Sequence, residues 1–170
     1  FSDGLTEDII TQLAKIKAFK VTSRTSIMKY KDNKKSLKEI GNELGASIIL
    51  EGSVQKSGDK VRITAQLINA RNDEHLWAET YDRTLDDIFT IQTDIATKIA
   101  SALKANLSAE EEQGISKKYT LNTEAYQLYL QSRYEWNKRL EAPVRKSIDF
   151  FKQAIAMDST YALAYAGLGD

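Results

Sequence analysis

The N-terminal part of the chain places apolar residues at helical spacing. They recur at intervals of four, four and three positions, which puts them on one face of an α-helix. These residues are Leu5, Ile9, Leu13 and Ile16. The aromatic and β-branched stretch at residues 19–23 then predicts a short strand.

A second helix is marked at both ends. Ser36 and Glu39 have the spacing of a capping box, in which each side chain accepts a hydrogen bond from the other residue's backbone N–H group. Gly45 is suited to end the helix because glycine readily adopts the left-handed conformation of a C-terminal cap. The predicted buried face consists of Leu37, Ile40 and Leu44.

The middle of the chain predicts three antiparallel strands. Apolar and polar residues alternate over 47–55 and 61–67, polar turns follow each of these stretches, and a third strand covers 75–82. A long helix over 85–107 comes next, with isoleucines at helical spacing. This order predicts an α+β fold, an α/β sandwich with an antiparallel three-stranded meander backed by helices.

The last third of the chain predicts helices. Ser108 and Glu111 form a second capping-box pair at the start of a charged stretch. Later apolar positions predict one helix around Leu130, a second around Phe151 and a third from Tyr161.

The predicted organisation therefore has three parts. Residues 1–107 form an α/β domain, residues 108–123 form a linker helix, and residues 124–170 form a helical hairpin followed by a truncated second pair.

The composition excludes several classes of function. Basic and acidic residues both number 24, so no overall charge favours nucleic acid. Cysteine is absent and histidine occurs once, which excludes thiolate chemistry and a histidine–cysteine metal site. The longest apolar runs are far shorter than the ~20 residues of a transmembrane helix, so no direct membrane insertion is predicted. The segment is expected on the cytoplasmic or the periplasmic side of an inner membrane.

The C-terminal helices resemble tetratricopeptide (TPR) repeats. The spacing from Phe151 to Ala154, and on to Tyr165 and the pair Leu168-Gly169, is similar to the repeat consensus. Each unit of that family is a helix–turn–helix of about 34 residues. The resemblance implies a stacked helical surface that binds other polypeptides.

Three separated motifs carry a second resemblance. The stretches at 1–9 (FSDGLTEDI), 49–54 (ILEGSV) and 73–83 (DEHLWAETYDR) resemble the TolB-amino-terminal-like α/β domain that precedes TPR repeats in bacterial multidomain proteins. In that family the module lies beside adenylate or guanylate cyclase, winged-helix or kinase domains. The family also has an apolar strand before the first motif, which this sequence lacks. The resemblance implies a sensory or scaffolding role and no catalytic residues.

Two groups of residues are candidates for binding. His75, Trp77 and Glu79 alternate along the third strand and form a candidate ligand patch, for which cross-strand packing is the alternative interpretation. A second group, on the first helix of the hairpin, is a candidate partner-binding surface, for which packing between helices is the alternative. That group consists of Tyr126, Tyr129, Tyr134 and Trp136.

Catalytic and phosphate-binding signals are weak. One histidine without cysteine gives no nucleophile–base pair, so no catalytic, cofactor or metal residue is predicted. The lysines between positions 29 and 38 are open to two interpretations, phosphate contact or a solvated loop.

The sequence therefore predicts a non-catalytic interaction and regulatory or scaffold module of a larger bacterial signalling protein, and the resemblance implies an adenylate cyclase among the domains that can be attached to it. Its predicted partner is a protein or peptide bound in the repeat groove. Two alternatives stay open: a small-molecule or nucleotide sensor with its pocket near Trp77, and a cell-envelope assembly component. The open sheet edge and the incomplete repeat add the expectation of a homodimer.

Overall fold

The computed structural model describes residues 2–31 and 34–169, so the predicted motif residue Phe1 and the last residue, Asp170, lie outside the described residues. The chain divides into two compact units. The sheet unit is Asp8–Ser116, and the helical unit comprises the residues up to Glu7 together with those from Lys117 onward.

The sheet unit confirms the predicted α+β class. Its strands are β1 (Ile48–Ser57), β2 (Lys60–Asn69) and β3 (Glu74–Thr84), which pair antiparallel in the order β1-β2-β3. Its helices are the second half of α1 (Ser2–Leu13), then α2 (Arg24–Met28), α3 (Leu37–Leu44), α4 (Ile88–Ala102) and α5 (Ala109–Ser116), with a 3-10 turn at Leu85–Asp87 before α4.

The core of the sheet unit is built from one face of β2 and the apolar faces of the helices. The buried strand residues are Val61, Ile63, Ala65 and Leu67, and the buried helical residues include Ile9, Leu13, Ile88, Ile95 and Ile99. Burial of such a side chain stabilises the fold by about 1.5–3 kcal/mol. The alternation on β2 is confirmed, and so is the predicted stripe on α1 for Leu5, Ile9 and Leu13; Ile16 is buried as well, but it lies beyond the end of the helix.

The capping signals form as predicted. Ser36 Oγ accepts from Glu39 N at 3.3 Å while Glu39 Oε2 accepts from Ser36 N at 2.8 Å, and Gly45 ends α3 with φ of 63°. The second box also closes: Ser108 N donates to Glu111 Oε2 at 2.8 Å, and Glu111 N donates to Ser108 Oγ at 3.2 Å.

Two predicted elements are wrong in detail. Residues 19–23 form no strand, because the sheet of the described chain consists of β1, β2 and β3 alone and offers this stretch no partner. The long helix over 85–107 is shorter than predicted, since it starts with a 3-10 turn and ends at Ala102. Lys104, two residues later, adopts φ of 53°, which interrupts the helix.

The helical unit consists of α6 (Thr123–Trp136), α7 (Glu141–Met157) and α8 (Ala162–Gly169). The first residues of α1 also belong to it. Phe151 and Ala154 of α7 are buried, and Ser132 Oγ of α6 donates to the Ser147 carbonyl at 2.6 Å. The three predicted helices are therefore present, and the predicted α7 residues lie in the contact between them.

The start of α1 packs closely on α6. A Cβ atom on Gly4 would lie 2.9 Å from Leu130 Cβ, so only glycine fits at this position without displacement. Glu7 accepts hydrogen bonds from Arg133 and, at 2.8 Å, from Asn137 Nδ2.

These contacts divide the chain at Ser116, inside the predicted linker (108–123), and group the residues up to Glu7 with the C-terminal helices. The predicted division into domains 1–107 and 124–170 says which segments fold independently of each other, and this stays a prediction.

Candidate functional site

Two of the four aromatic residues predicted to bind a partner are buried. Tyr126 is 2% exposed and Tyr129 is 8% exposed. The Tyr129 ring lies 5.2 Å from the ring of Tyr161 and 6.0 Å from that of Phe151, centroid to centroid. Tyr129 therefore packs between helices, and Tyr126 is buried as well.

The other two aromatic residues lie at the surface near the end of α6. Tyr134 is 40% exposed, with Lys138 Nζ 4.3 Å from its ring centroid. Trp136 is partly exposed, and Arg139 Cζ lies 4.7 Å from its ring centroid. Each ring is thus paired with a cation, an arrangement that holds both partners in place while leaving them reachable.

A buried carboxylate organises the charges beside these rings. Glu135 accepts a hydrogen bond from Lys138 at 2.7 Å and a longer one from Lys146 at 3.5 Å. The bond from Lys138 lowers the pKa of Glu135 below its ordinary value, so the carboxylate stays charged. Glu135 therefore fixes two ammonium groups near the α6–α7 turn.

We call this region the turn surface, and define it as Tyr134, Trp136, Lys138, Arg139 and Leu140. Leu140 is 64% exposed, so the surface offers apolar area as well as positive charge. Such a surface can hold a peptide that carries carboxylates and apolar side chains. Sequence reasoning missed Lys138, Arg139 and Leu140, although the spacing of Glu135 and Lys138 was a signal of a helical ion pair.

The candidate ligand patch on β3 is divided between the two faces of the sheet. A register shift at Leu67/Ile68 leaves Trp77 opposite Leu67 but His75 opposite Ile68. Because consecutive residues of a strand face opposite sides, His75 and Trp77 do not share a face. The predicted alternation from His75 to Glu79 is therefore interrupted, and the ligand patch itself stays a prediction.

Glu79 belongs to a hydrogen-bonded network that joins β3 to α4. Lys98 Nζ donates to both carboxylate oxygens of Glu79, at 2.8 and 2.6 Å, and lies 3.7 Å from Asp94. The Tyr81 hydroxyl donates to Asp94 Oδ2 at 2.9 Å. Burial, together with this bond, raises the pKa of Tyr81, so the phenol keeps the proton that it donates. The network fixes the helix to the strand.

Within residues 2–31 and 34–169, no group of three or more histidine, cysteine, aspartate or glutamate side chains is arranged so that it could hold a metal ion. Over the same ranges, no helix combines the length and apolar character required to cross a bilayer.

The chain is similar to one part of a much longer known protein. The chain is 36% identical, over 171 aligned positions, to a Rhizobium meliloti (strain 1021) protein named "Putative adenylate cyclase 3". The match covers 99% of this chain and 29% of the relative. No protein-family model matches the chain.

Proposed function

We propose that this chain is a non-catalytic interaction and regulatory segment of a larger bacterial signalling protein associated with adenylate cyclase. The match to the Rhizobium relative carries the proposal, because it covers 99% of this chain but only 29% of the relative. Such a match is expected of one module within a multidomain protein.

The packing of the helical unit supports a TPR-like role for it. Phe151 and Ala154 are buried at the helix contact, Tyr161 just before α8 packs its ring on Tyr129 of α6, and Gly167 of α8 lies against Phe151 of α7. Helices stacked in this way expose one continuous side that can receive a peptide.

The conformation of Arg139 supports the turn surface as the contact region. Arg139 has φ of 55°, in the left-handed region that costs an ordinary L-residue roughly 1–2 kcal/mol and glycine almost nothing. Unfavourable backbone geometry of this kind is often found at residues that serve binding. The expected partner is a peptide with acidic and apolar side chains.

The regulatory part is tested in a chimeric protein. The aligned segment of the Rhizobium relative is deleted in one variant and replaced by this chain in another, and cyclic AMP synthesis from ATP is measured. We expect deletion to change the rate and this chain to restore it. A rate that deletion leaves unchanged would refute the regulatory role.

The contact surface is tested in the same chimera. The double substitution Tyr134→Ala with Arg139→Ala should abolish restoration, whereas the exposed pair Gln113→Ala with Lys152→Ala should retain it. The non-catalytic part is tested on the isolated chain with ATP and magnesium, from which we expect no cyclic AMP.

A further inference from the structure

The sheet unit carries a local excess of positive charge. Residues 20–43 contain seven lysine or arginine side chains against three aspartate or glutamate side chains, although the whole chain has 24 of each. Six of the seven are lysines. We define the basic cluster as Lys29, Lys34, Lys35 and Lys38, all of which are exposed.

Two lysines of the basic cluster lie over the aromatic ring of Tyr30. Lys29 Nζ lies 4.8 Å and Lys35 Nζ 5.8 Å from the centroid of its ring. The Tyr30 hydroxyl donates to Glu43 Oε2 at 2.7 Å, and Lys35 forms an ion pair with the same carboxylate. The ammonium groups therefore lie on a fixed aromatic support, since the ring is held at its hydroxyl end.

An apolar element adjoins the cluster in sequence. Helix α2 contains no buried residue, and its last two side chains, Ile27 and Met28, are only half-buried. A surface helix with partly accessible apolar side chains next to lysines combines the two contributions that attach proteins to lipid headgroups: shallow apolar insertion and attraction to anionic lipid.

The chemistry of the cluster favours a diffuse anionic surface over a defined phosphate site. Lysine is a flexible, hydrated point charge, whereas the arginine fork matches individual phosphates in a fixed geometry. Nucleic-acid binding without sequence preference also uses aromatic rings as stacking platforms. The Tyr30 ring is unsuited to that role because two ammonium groups already lie over it.

We propose that the basic cluster, together with α2, attaches this chain peripherally to the anionic headgroups of a lipid bilayer. Each lysine near such a surface strengthens binding by about fivefold. The attachment weakens as salt is added because ions screen the attraction.

Sedimentation with lipid vesicles tests the proposal. The 170-residue chain is mixed with phosphatidylcholine vesicles that contain or lack phosphatidylglycerol, at low and at physiological salt. We expect binding only to vesicles with the anionic lipid, weaker at the higher salt. Inorganic phosphate at matched ionic strength should not compete, because a free phosphate lacks the extended charged surface.

A matched pair of triple variants locates the surface. K29Q/K34Q/K38Q should lower the vesicle partition coefficient by about a hundredfold. K56Q/K60Q/K152Q removes the same charge from exposed lysines elsewhere and should change it less than about threefold. Unchanged circular-dichroism melting of both variants shows that folding is intact.

Three outcomes would overturn the proposal. One is no binding to anionic vesicles at low salt, and another is an equal loss in both triple variants. The third is tighter binding to duplex or single-stranded oligonucleotides than to vesicles, with the same dependence on Lys29, Lys34 and Lys38, since that result would assign the cluster to nucleic acid.

Discussion

Phe151 is a residue at which three helices of the helical unit meet. It lies on α7 and is 1% exposed, and its ring contacts that of Tyr129 on α6. Gly167 on α8 comes so close that a Cβ atom there would lie 2.3 Å from Phe151 Cζ. A side chain enclosed on both sides cannot be shortened without leaving a cavity that the neighbouring helices fill only in part.

Phe151→Ala should therefore lower the free energy of unfolding of the helical unit by about 3–5 kcal/mol. The neighbouring Lys152 is exposed, so Lys152→Ala should change it by no more than about 0.5 kcal/mol. Urea unfolding followed by circular dichroism measures both variants. Equal losses at the two positions would show that the helical register is wrong.

Gly167→Ala tests the same contact from the other helix. The added methyl group has no room beside Phe151, so we expect a loss of about 1–3 kcal/mol. Combining it with Phe151→Leu should cost less than the sum of the two single losses, because the smaller side chain makes room. Additive losses in a double-mutant cycle would exclude direct contact.

Asp158 gives the helical unit a pH-dependent contact. Thr120 Oγ1 donates to Asp158 Oδ2 at 2.5 Å, and the hydroxyl and backbone N–H groups of Thr160 donate to Oδ1 at 2.6 and 2.9 Å. These bonds, that of Thr120 first, lower the pKa of Asp158 below its ordinary value of 3.8. The contribution to stability is complete above pH 3.8 and is lost as the pH falls through the lower pKa of the folded state.

Thr120→Val should raise the pKa of Asp158 and make acid unfolding begin at higher pH. Carboxyl chemical shifts in an NMR titration report the pKa directly. Thr97→Val is a suitable control, since this exposed hydroxyl donates to the carbonyl of Thr93 within its own helix. An unchanged pKa in the Thr120 variant would show that another group holds the carboxylate charged.

Among the elements, those with local signals could be predicted from the sequence. The capping box at Ser36 needs only residues three positions apart, and the hairpin at Gly58 needs only a glycine at φ of 58° between alternating strands. The stretch at 19–23 had strand propensity as well. It formed no strand because pairing depends on a partner that sequence spacing does not reveal.

In the candidate sites, too, contacts between residues far apart in the sequence could not be predicted from spacing. The contact between Trp136 and Arg139 could be predicted from their spacing of three residues. The left-handed backbone at Arg139 could not be predicted in this way. The bulge that separates His75 from Trp77 depends on pairing with β2 and has no signal within β3 itself. The contact of Glu7 with Arg133 joins residues 126 positions apart, which only the folded chain brings together.

Helix α5 shows how such long-range contacts change an element's expected behaviour. Lys17 N donates to Glu111 Oε1 and Lys15 Nζ to the Gly114 carbonyl, both at 2.7 Å, while Ile115 is buried. The predicted linker over 108–123 is therefore held to the sheet unit in its first part.

Of the sites on the two sides of α5, limited trypsin digestion should cleave first after Lys117 or Lys118, which are exposed and lie outside the helices. Exposed segments without regular structure are the preferred sites of cleavage. Mass spectrometry should find α5 attached to the sheet fragment. First cleavage after Lys104, on the other side of α5, would show that these hydrogen bonds do not hold the helix in solution.

At the scale of the whole molecule, α1 contributes to both units. Leu5 is completely buried and groups with the helical unit, whereas Ile9 and Leu13 group with the sheet unit. A boundary within one helix is unusual, since domain boundaries commonly fall in exposed linkers. The first residues of α1 should therefore share their stability with α6, which lies more than a hundred positions away in the sequence.

Hydrogen exchange of destabilised variants can test this division directly. Phe151→Ala should speed amide exchange in α6, α7, α8 and at Thr6 and Glu7 of α1, because opening of the helical unit removes their packing, while the exchange of β2 stays slow. Ile95→Ala, which opens a cavity in the core of the sheet unit, should give the opposite pattern. If Thr6 and Glu7 instead exchanged with β2 in both variants, the helix would belong wholly to the sheet unit. If both variants accelerated exchange throughout the chain, the two units would unfold as one.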